Sequence, residues 1–302
     1  MPAIRSFSEL RVHLQNISTR RAMIVINPAD TQTREAVIQA DDMGLTETII
    51  IGDPTVYQKN LFPQNDRFKH ILCADLKAAS ELSVELLKNN EAEFLMKGLV
   101  NTDVLLRAII NKEKGIVPFG QVVTFIAAME IPSYPRLIFV CDPAVIPAPN
   151  LRQRTSMIKY AISMCHSFGI AQPRIALLHG TEKLNPKLCF MNDYQAILDL
   201  HKAGDFGDVI IDGPLDIFIA LDPVLGAIKQ IDSPIQGDAD VLIFPGFESA
   251  NIFYKSMMTF AGAQMGGILF GTQKPVILSS RSDNTASKFN SIALACLADQ
   301  HA

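Results

Sequence analysis

The chain has 302 residues, enough for two domains of ordinary size. With 48% hydrophobic and 19% charged residues it has the composition of a folded globular protein, which excludes a disordered chain. A formal net charge of -4, with no Lys/Arg run, excludes a basic nucleic-acid footprint and a polybasic membrane-surface segment.

The first residues, MPAIRSFSELRVHL, lack the apolar core of a signal peptide. No run of about 18 apolar residues occurs, so a cytoplasmic protein with no membrane partner is expected. AMIVIN (22–27) reads as a strand, and TQTREAVIQADDMG as a helix with Ala36, Val37, Ala40 and Met43 on one face. ETIIIGD (47–53) is a second strand. HILCAD (70–75) leads into a helix over LKAASELSVELLKNN. FLMKGLV (94–100) leads into NTDVLLRAIINKEKG, and VVTFIAAMEI (122–131) closes this half. The two prolines of PSYPR (132–136) mark a boundary. RLIFVCD, RIALLHG, DVIIDG, DVLIFPG, GGILFG and PVILSS then follow as strands, most of them separated by helical stretches. Strands that are apolar throughout, alternating with helices, predict an α/β fold with mostly parallel sheets covered on both faces.

Five cysteines, at 73, 141, 165, 189 and 296, are scattered without a CxxC pair, so reduced thiols are expected. Histidines 13, 70, 166, 179, 201 and 301 form no HExxH pair, and no metal site is expected. No GxSxG elbow, Walker A sequence or GxGxxG fingerprint is present.

In open α/β sheets ligands bind beyond the carboxyl ends of the strands, and four such ends carry polar residues. In MKGLVNTD (96–103), Lys97 offers charge and Gly98 a close backbone approach; on this stretch alone a capped helix with a surface lysine is the simpler account. In IDGPLD (211–216), Asp212-Gly213-Pro214 is a turn by composition. In DADVLIFPGFESANIFYKSM (238–257), Glu248 and Ser249 open a helix with Phe253, Met257 and Phe260 as its buried stripe. Asn251 and Lys255 share another face of that helix.

The fourth end is SSRSDN (279–284), a run of polar residues larger than a turn requires. It precedes a helix whose Phe289, Ile292, Ala293, Cys296 and Leu297 have core spacing. Ser282 or Asp283 serves as an N-cap, but a cation at a helix N-terminus opposes the dipole. Arg281 is in place there if an anion lies between it and the helix.

Several blocks taken in order resemble the phosphate acetyl- and butyryltransferase family, the butyryl branch more closely. They are FLMKGLVNTDVLLRAIINKEKGI, AMEIPSYPRLIFVCDPAV, GTEKLNPK, VIIDGPL, GDADVLIFPGFESANIFYKSM and PVILSSRSDNTASKFNSIALA, spanning residues 94–298. The first 90 residues match only in rhythm. The resemblance implies a two-domain fold like that of isocitrate and isopropylmalate dehydrogenases. Residues 1–133 with 273–302 would form one domain and 134–272 the other, with the active-site cleft between them, and the enzyme would be a homodimer. The implied reaction is acyl-CoA plus phosphate giving acyl phosphate plus CoA, with CoA a substrate and no cofactor. It implies Arg281 for phosphate, Ser280 for the transition state and a hydroxyl role for Thr124. Lys97, Gly98, Asp283, Asn251, Lys255 and Asp212 are then the substrate-binding candidates.

The departures from the family are specific. Thr124 and Phe125 stand where Ser-His is common, and Ile146 where an asparagine is usual. Ser287 stands where acetyltransferases carry a carboxylate, and Ala286 where the butyryl branch often has glutamate. These departures imply either an altered acyl specificity or weakened catalysis. Phosphate acetyltransferase and a non-catalytic CoA or acyl-phosphate binding homologue therefore stand as alternatives. A hydroxy-acid dehydrogenase on the same fold would need a run of metal-binding aspartates, which the sequence lacks.

Overall fold

The structure is a computed structural model that describes residues 2–16 and 19–298. Residues 1, 17, 18 and 299–302, which the expected first domain includes, lie outside the described residues, as does His301. In chain order the first stretch holds α1 (Phe7–Gln15), β1 (Arg21–Ile26), α2 (Thr31–Asp42), β2 (Thr46–Gly52), β3 (Phe68–Leu72), α3 (Leu76–Lys88), β4 (Phe94–Lys97) and α4 (Thr102–Ile109). The middle holds β5 (Thr124–Glu130), β6 (Leu137–Cys141), α5 (Leu151–Ser167), β7 (Arg174–Leu178), α6 (Cys189–Lys202), β8 (Ile210–Leu215), α7 (Ile217–Leu221), α8 (Pro223–Lys229), β9 (Val241–Ile243) and α9 (Phe247–Phe260). The chain closes with β10 (Gln264–Phe270), β11 (Val276–Ile277) and α10 (Thr285–Leu297).

Two compact units result. One comprises Phe7–Val123 with the segment from Gln264 onward; the other comprises Thr124–Ala263 with the residues preceding Phe7. The division falls before β5 and before β10. Strand pairing is the reason: β5 pairs antiparallel with β6 across PSYPR, register Ile126 to Cys141, so those prolines lie in a hairpin connection.

In the first unit the strand order is β3-β2-β1-β4-β11-β10, parallel from β3 to β11 with β10 antiparallel. β4 is buried at every position, as a strand covered on both faces must be. β3 ends the row, and Leu72 is 72% exposed there. α10 packs on β10 and α2. A Cβ on Gly266 would come within 2.7 Å of the Asn290 backbone, so the bare glycine lets α10 lie directly on the sheet. Residues 287–296 of α10 are all buried, more than the single expected stripe, and Leu297 of that stripe is partly exposed.

In the second unit the order is β5-β6-β9-β7-β8, parallel apart from β5. Two expectations change here. Asp212-Gly213-Pro214 is not a turn but part of β8, where a register shift opposite residues 176–178 absorbs Gly213 at φ 153°. β8 is an end strand, and edges and bulges are where a strand tolerates proline. The predicted buried stripe of α9 is not buried: Ala250 is its one buried residue, Phe253 and Met257 are half-buried, and Phe260 is 85% exposed. Among the described residues no helix is long and apolar enough to cross a membrane.

Candidate active site

The adjacent parallel strands β1, β4 and β11 each run into a helix, α2, α4 and α10 respectively. Three helix N-termini therefore lie at the carboxyl edge of one sheet, each with amide N–H groups lacking intrahelical partners and with a positive dipole end. Asp30 caps α2 through Thr33 N–H, and Asn284 caps α10 through Ser287 N–H, so Asn284 fills the position expected of Ser282 or Asp283. Asn101 stands at the N-cap of α4 but makes no side-chain cap bond. Its Oδ1 instead accepts from the Arg281 guanidinium. Arg281 thus reaches from the turn before α10 to the start of α4.

The turn itself is held by Asp283, whose Oδ2 accepts the Ser280 N–H at 2.7 Å. Asp283 is buried, while Ser280, Arg281 and Ser282 are exposed, with the Ser280 and Ser282 hydroxyls 3.0 Å apart. The buried Ser279 hydroxyl donates to the Lys97 carbonyl at 2.9 Å, fixing the end of β11 to the end of β4. Loop 98–101 is fixed from the other side. The N–H groups of Gly98 and Leu99 donate to the carbonyls of Ile26 and Asn27, and the Asn27 amide donates to the Leu99 carbonyl. A Cβ on Gly98 would meet Ile26 O at 2.3 Å, so only glycine fits this approach.

Lys97 is buried, which its reading as a surface lysine did not anticipate. Its Nζ donates to the carbonyls of Gly98 and Val100, each at 3.3 Å. Burial first, then the positive charges of Lys288 and Arg281, lower its pKa to about 8.

Lys288 was missed by the sequence reading. It lies in the first turn of α10 and is 2% exposed, and its Nζ donates to Asp30 Oδ1 at 2.9 Å and to Thr33 Oγ1 at 2.8 Å. Burial alone would raise the Asp30 pKa, but bonds from Thr33 and Lys288 hold it below the usual carboxylate range. The Thr285 hydroxyl donates to Glu35 and ties the same two helix starts together. The available signal for Lys288 is its helix: SIALACLA is so short of polar residues that α10 buries every face, its one lysine included. The Ser287 hydroxyl is also buried, with no hydrogen-bond partner among the described residues.

Lys97, Gly98, Ser280, Arg281 and Asp283 are therefore brought together. Thr124, Asp212, Asn251 and Lys255 belong to the other unit. There the fully buried Thr124 hydroxyl and the Phe125 N–H both donate to Asp142 Oδ2, at 2.7 and 3.0 Å. Asp142 Oδ1 takes the N–H groups of Ala144 and Val145. Burial raises the Asp142 pKa despite these bonds. The Thr124 proton is directed at that carboxylate, and Phe125 and Ile146, next in sequence to Thr124 and Val145, are buried. Asp212 accepts the Ser233 hydroxyl at 2.6 Å, Asn251 donates to the Pro143 carbonyl at 2.8 Å, and Lys255 is exposed on α9.

Chemically, the first unit presents an exposed hydroxyl and a guanidinium fork on a fixed turn, with a buried amine nearby and helix N-termini around them. That arrangement suits a tetrahedral anion. A family model described as phosphate acetyl/butaryl transferase matches residues 69–296. The chain is 31% identical over 298 residues to a phosphate butyryltransferase of Clostridium acetobutylicum, covering 97% of this chain and 98% of that one. It is 35% identical over 286 residues to a probable phosphate butyryltransferase of Bacillus subtilis, covering 94% of this chain and 95% of the other. Among solved structures, a branched-chain phosphotransacylase from Enterococcus faecalis V583 superposes with a TM-score of 0.80 at 27% identity, over 93% of this chain and all of that one (100%).

Proposed function

The chain belongs to the phosphate acetyl/butaryl transferase family, and from that premise we propose that it transfers a short acyl group, butyryl in preference to acetyl, between CoA and inorganic phosphate. The observation that carries this reading is the Ser280–Asp283 turn, anchored by Asp283 and by the Arg281–Asn101 contact. Arg281 holds phosphate by charge-assisted hydrogen bonds, supplemented by the N-termini of α4 and α10. Lys97 adds charge from the sheet side. Holding phosphate against a thioester carbonyl supplies the proximity that such a displacement needs. As phosphate attacks, negative charge grows on the carbonyl oxygen, and the exposed Ser280 hydroxyl is the donor for it. The sulfur leaves as CoA and the phosphate oxygen keeps the acyl group. CoA is a substrate throughout. Gly98 admits the close loop packing that places Lys97.

Likeness to butyryltransferases over nearly the whole chain supports the butyryl preference. We infer as well the two-domain organisation of isocitrate and isopropylmalate dehydrogenases, a cytoplasmic location, and a homodimer. Exposed apolar side chains on α9, Ile252 at 65% and Phe260 at 85%, support the dimer. The test of the function is release of free CoA from butyryl-, isobutyryl- and acetyl-CoA, with and without phosphate. The expected result is phosphate-dependent release with the highest kcat/KM on a four-carbon chain. CoA-induced thermal stabilisation with no turnover on any chain would instead establish a binding homologue, the reading favoured by the apolar Phe125 and Ile146.

A further inference from the structure

A buried cationic side chain ordinarily has a carboxylate beside it. Lys288 has Asp30, and the buried Arg154 has Asp193. Lys97 has none: among the described residues no carboxylate lies within ion-pairing distance of its Nζ, which is held only by the two long contacts to Gly98 O and Val100 O. Both carbonyls belong to loop 98–101, and Arg281 grips the last residue of that same loop. Ser279, which precedes Ser280, is bonded to the Lys97 backbone. The amine is therefore built into the turn that carries Ser280 and Arg281, yet it lacks a counter-ion.

Its charged surroundings come from three elements. Lys288 faces it from α10, Arg281 and Asp283 from the turn before α10, and Asp30 from the turn before α2. Asp30 is engaged by Lys288 and Asp283 accepts the Ser280 N–H; both favour a charged Lys97, but each by less than burial and the two cations oppose it. Two further cations nearby make a second ammonium costly until an anion arrives.

We propose that Lys97 is the proton-accepting ligand of the phosphate site: its amine takes up a proton as phosphate binds, so that filling the site and protonating the protein are one coupled step. The proton comes from solvent buffer, Nζ becomes an ammonium, and no bond to phosphorus is made or broken. This inference rests on the reading of the turn as a phosphate site. The proton balance follows from the Lys97 pKa of about 8. At pH 8.5 inorganic phosphate is already the dianion and Lys97 is mostly neutral, so binding draws in roughly three-quarters of a proton. Below pH 7 the amine is already charged and uptake vanishes. Above pH 8 phosphate affinity falls as the proton becomes harder to acquire.

The test is calorimetric titration of the intact protein with inorganic phosphate at pH 8.5, in two buffers of different ionisation enthalpy. The expected result is a binding heat that differs between buffers by an amount matching uptake of most of one proton. Lys97→Arg, permanently charged, should bind phosphate with the same heat in both buffers and keep its affinity at pH 9. Lys97→Met, which removes a buried unpaired charge and so should fold, is expected to bind about tenfold or more weakly, with no buffer dependence. Wild-type binding with equal heats in both buffers would overturn the coupling and leave the phosphate site standing. Absence of any phosphate binding to the wild type would overturn the site and the coupling together.

Discussion

Lys97 and Lys288 are two lysines of one site with opposite electrostatic situations. Lys288 is paired with Asp30 and bonded to Thr33, while Lys97 is held by carbonyls alone. The difference has a consequence for stability. In the unfolded chain Lys97 titrates near 10.5, and in the folded protein its pKa falls to about 8. Between those values the unfolded state binds a proton that the folded state does not, so this group makes stability rise as pH climbs from about 8 to 10.5. The penalty is fully present below pH 8, at about 3 kcal/mol. Urea denaturation of the wild type and Lys97→Met at pH 7.5 and 10 isolates the effect. The expected result is a gap in favour of Lys97→Met that narrows at the higher pH; a pH-independent gap would mean that Lys97 is not depressed in the fold. Arg281 was legible because a cation is out of place at a helix N-terminus. Its partner Asn101 carries no such signal, since contact between residues 101 and 281 depends on β4 and β11 being neighbours. The buried Lys288 fell inside a helix read for its apolar spacing alone.

At the scale of elements, the β4–α4 loop is where the fold places chemistry. It is pinned to Ile26 at the end of β1 and to the following Asn27 by three hydrogen bonds, and its Gly98 leaves no room for a side chain. Gly98→Ala is expected to cost about 1–3 kcal/mol or more by forcing the loop away from β1. Because Lys97 and Asn101 flank it, the same variant should raise the phosphate KM. Gly180→Ala is the control, since a Cβ there meets nothing within 4 Å. Equal stability and kinetics for the two variants would show that the loop is not so constrained. Hydrophobic runs located most strands, because strands buried on both faces are apolar throughout. They overestimated β11, where PVILSS supplies only Val276–Ile277 to the ladder before the chain leaves for the site turn. Composition misread Asp212-Gly213-Pro214 as a turn, because a bulge on an edge strand uses the same residues. On α9 the apolar periodicity was correct and the inferred burial was not: Phe253, Met257 and Phe260 recur at helical spacing, but they are half-buried or exposed.

For the whole molecule, ordered blocks across residues 94–298 made the family legible, since no single motif among them is specific. The prolines of PSYPR lie in the connection between the paired strands β5 and β6, and a proline pair marks a hairpin connection as readily as a linker. The exposed α9 positions Ile252 and Phe260 bear on assembly. A dimer of 33.2 kDa subunits is expected in sedimentation at micromolar concentration, and Phe260→Asp should shift it toward monomer. A wild-type monomer, or a Phe260→Asp dimer of unchanged affinity, would remove α9 from the contact. The central claim is that the Ser280–Arg281 turn seats phosphate for attack on a thioester. The most direct measurement is the initial rate of CoA release from butyryl-CoA as a function of phosphate concentration, in the wild type and in Arg281→Ala. The expected result is saturable dependence on phosphate in the wild type. In Arg281→Ala the phosphate KM should rise about 10–100-fold and turnover should fall, as loss of a charge-assisted ligand requires. CoA release that is equally fast without phosphate, or kinetics unchanged in Arg281→Ala, would contradict it.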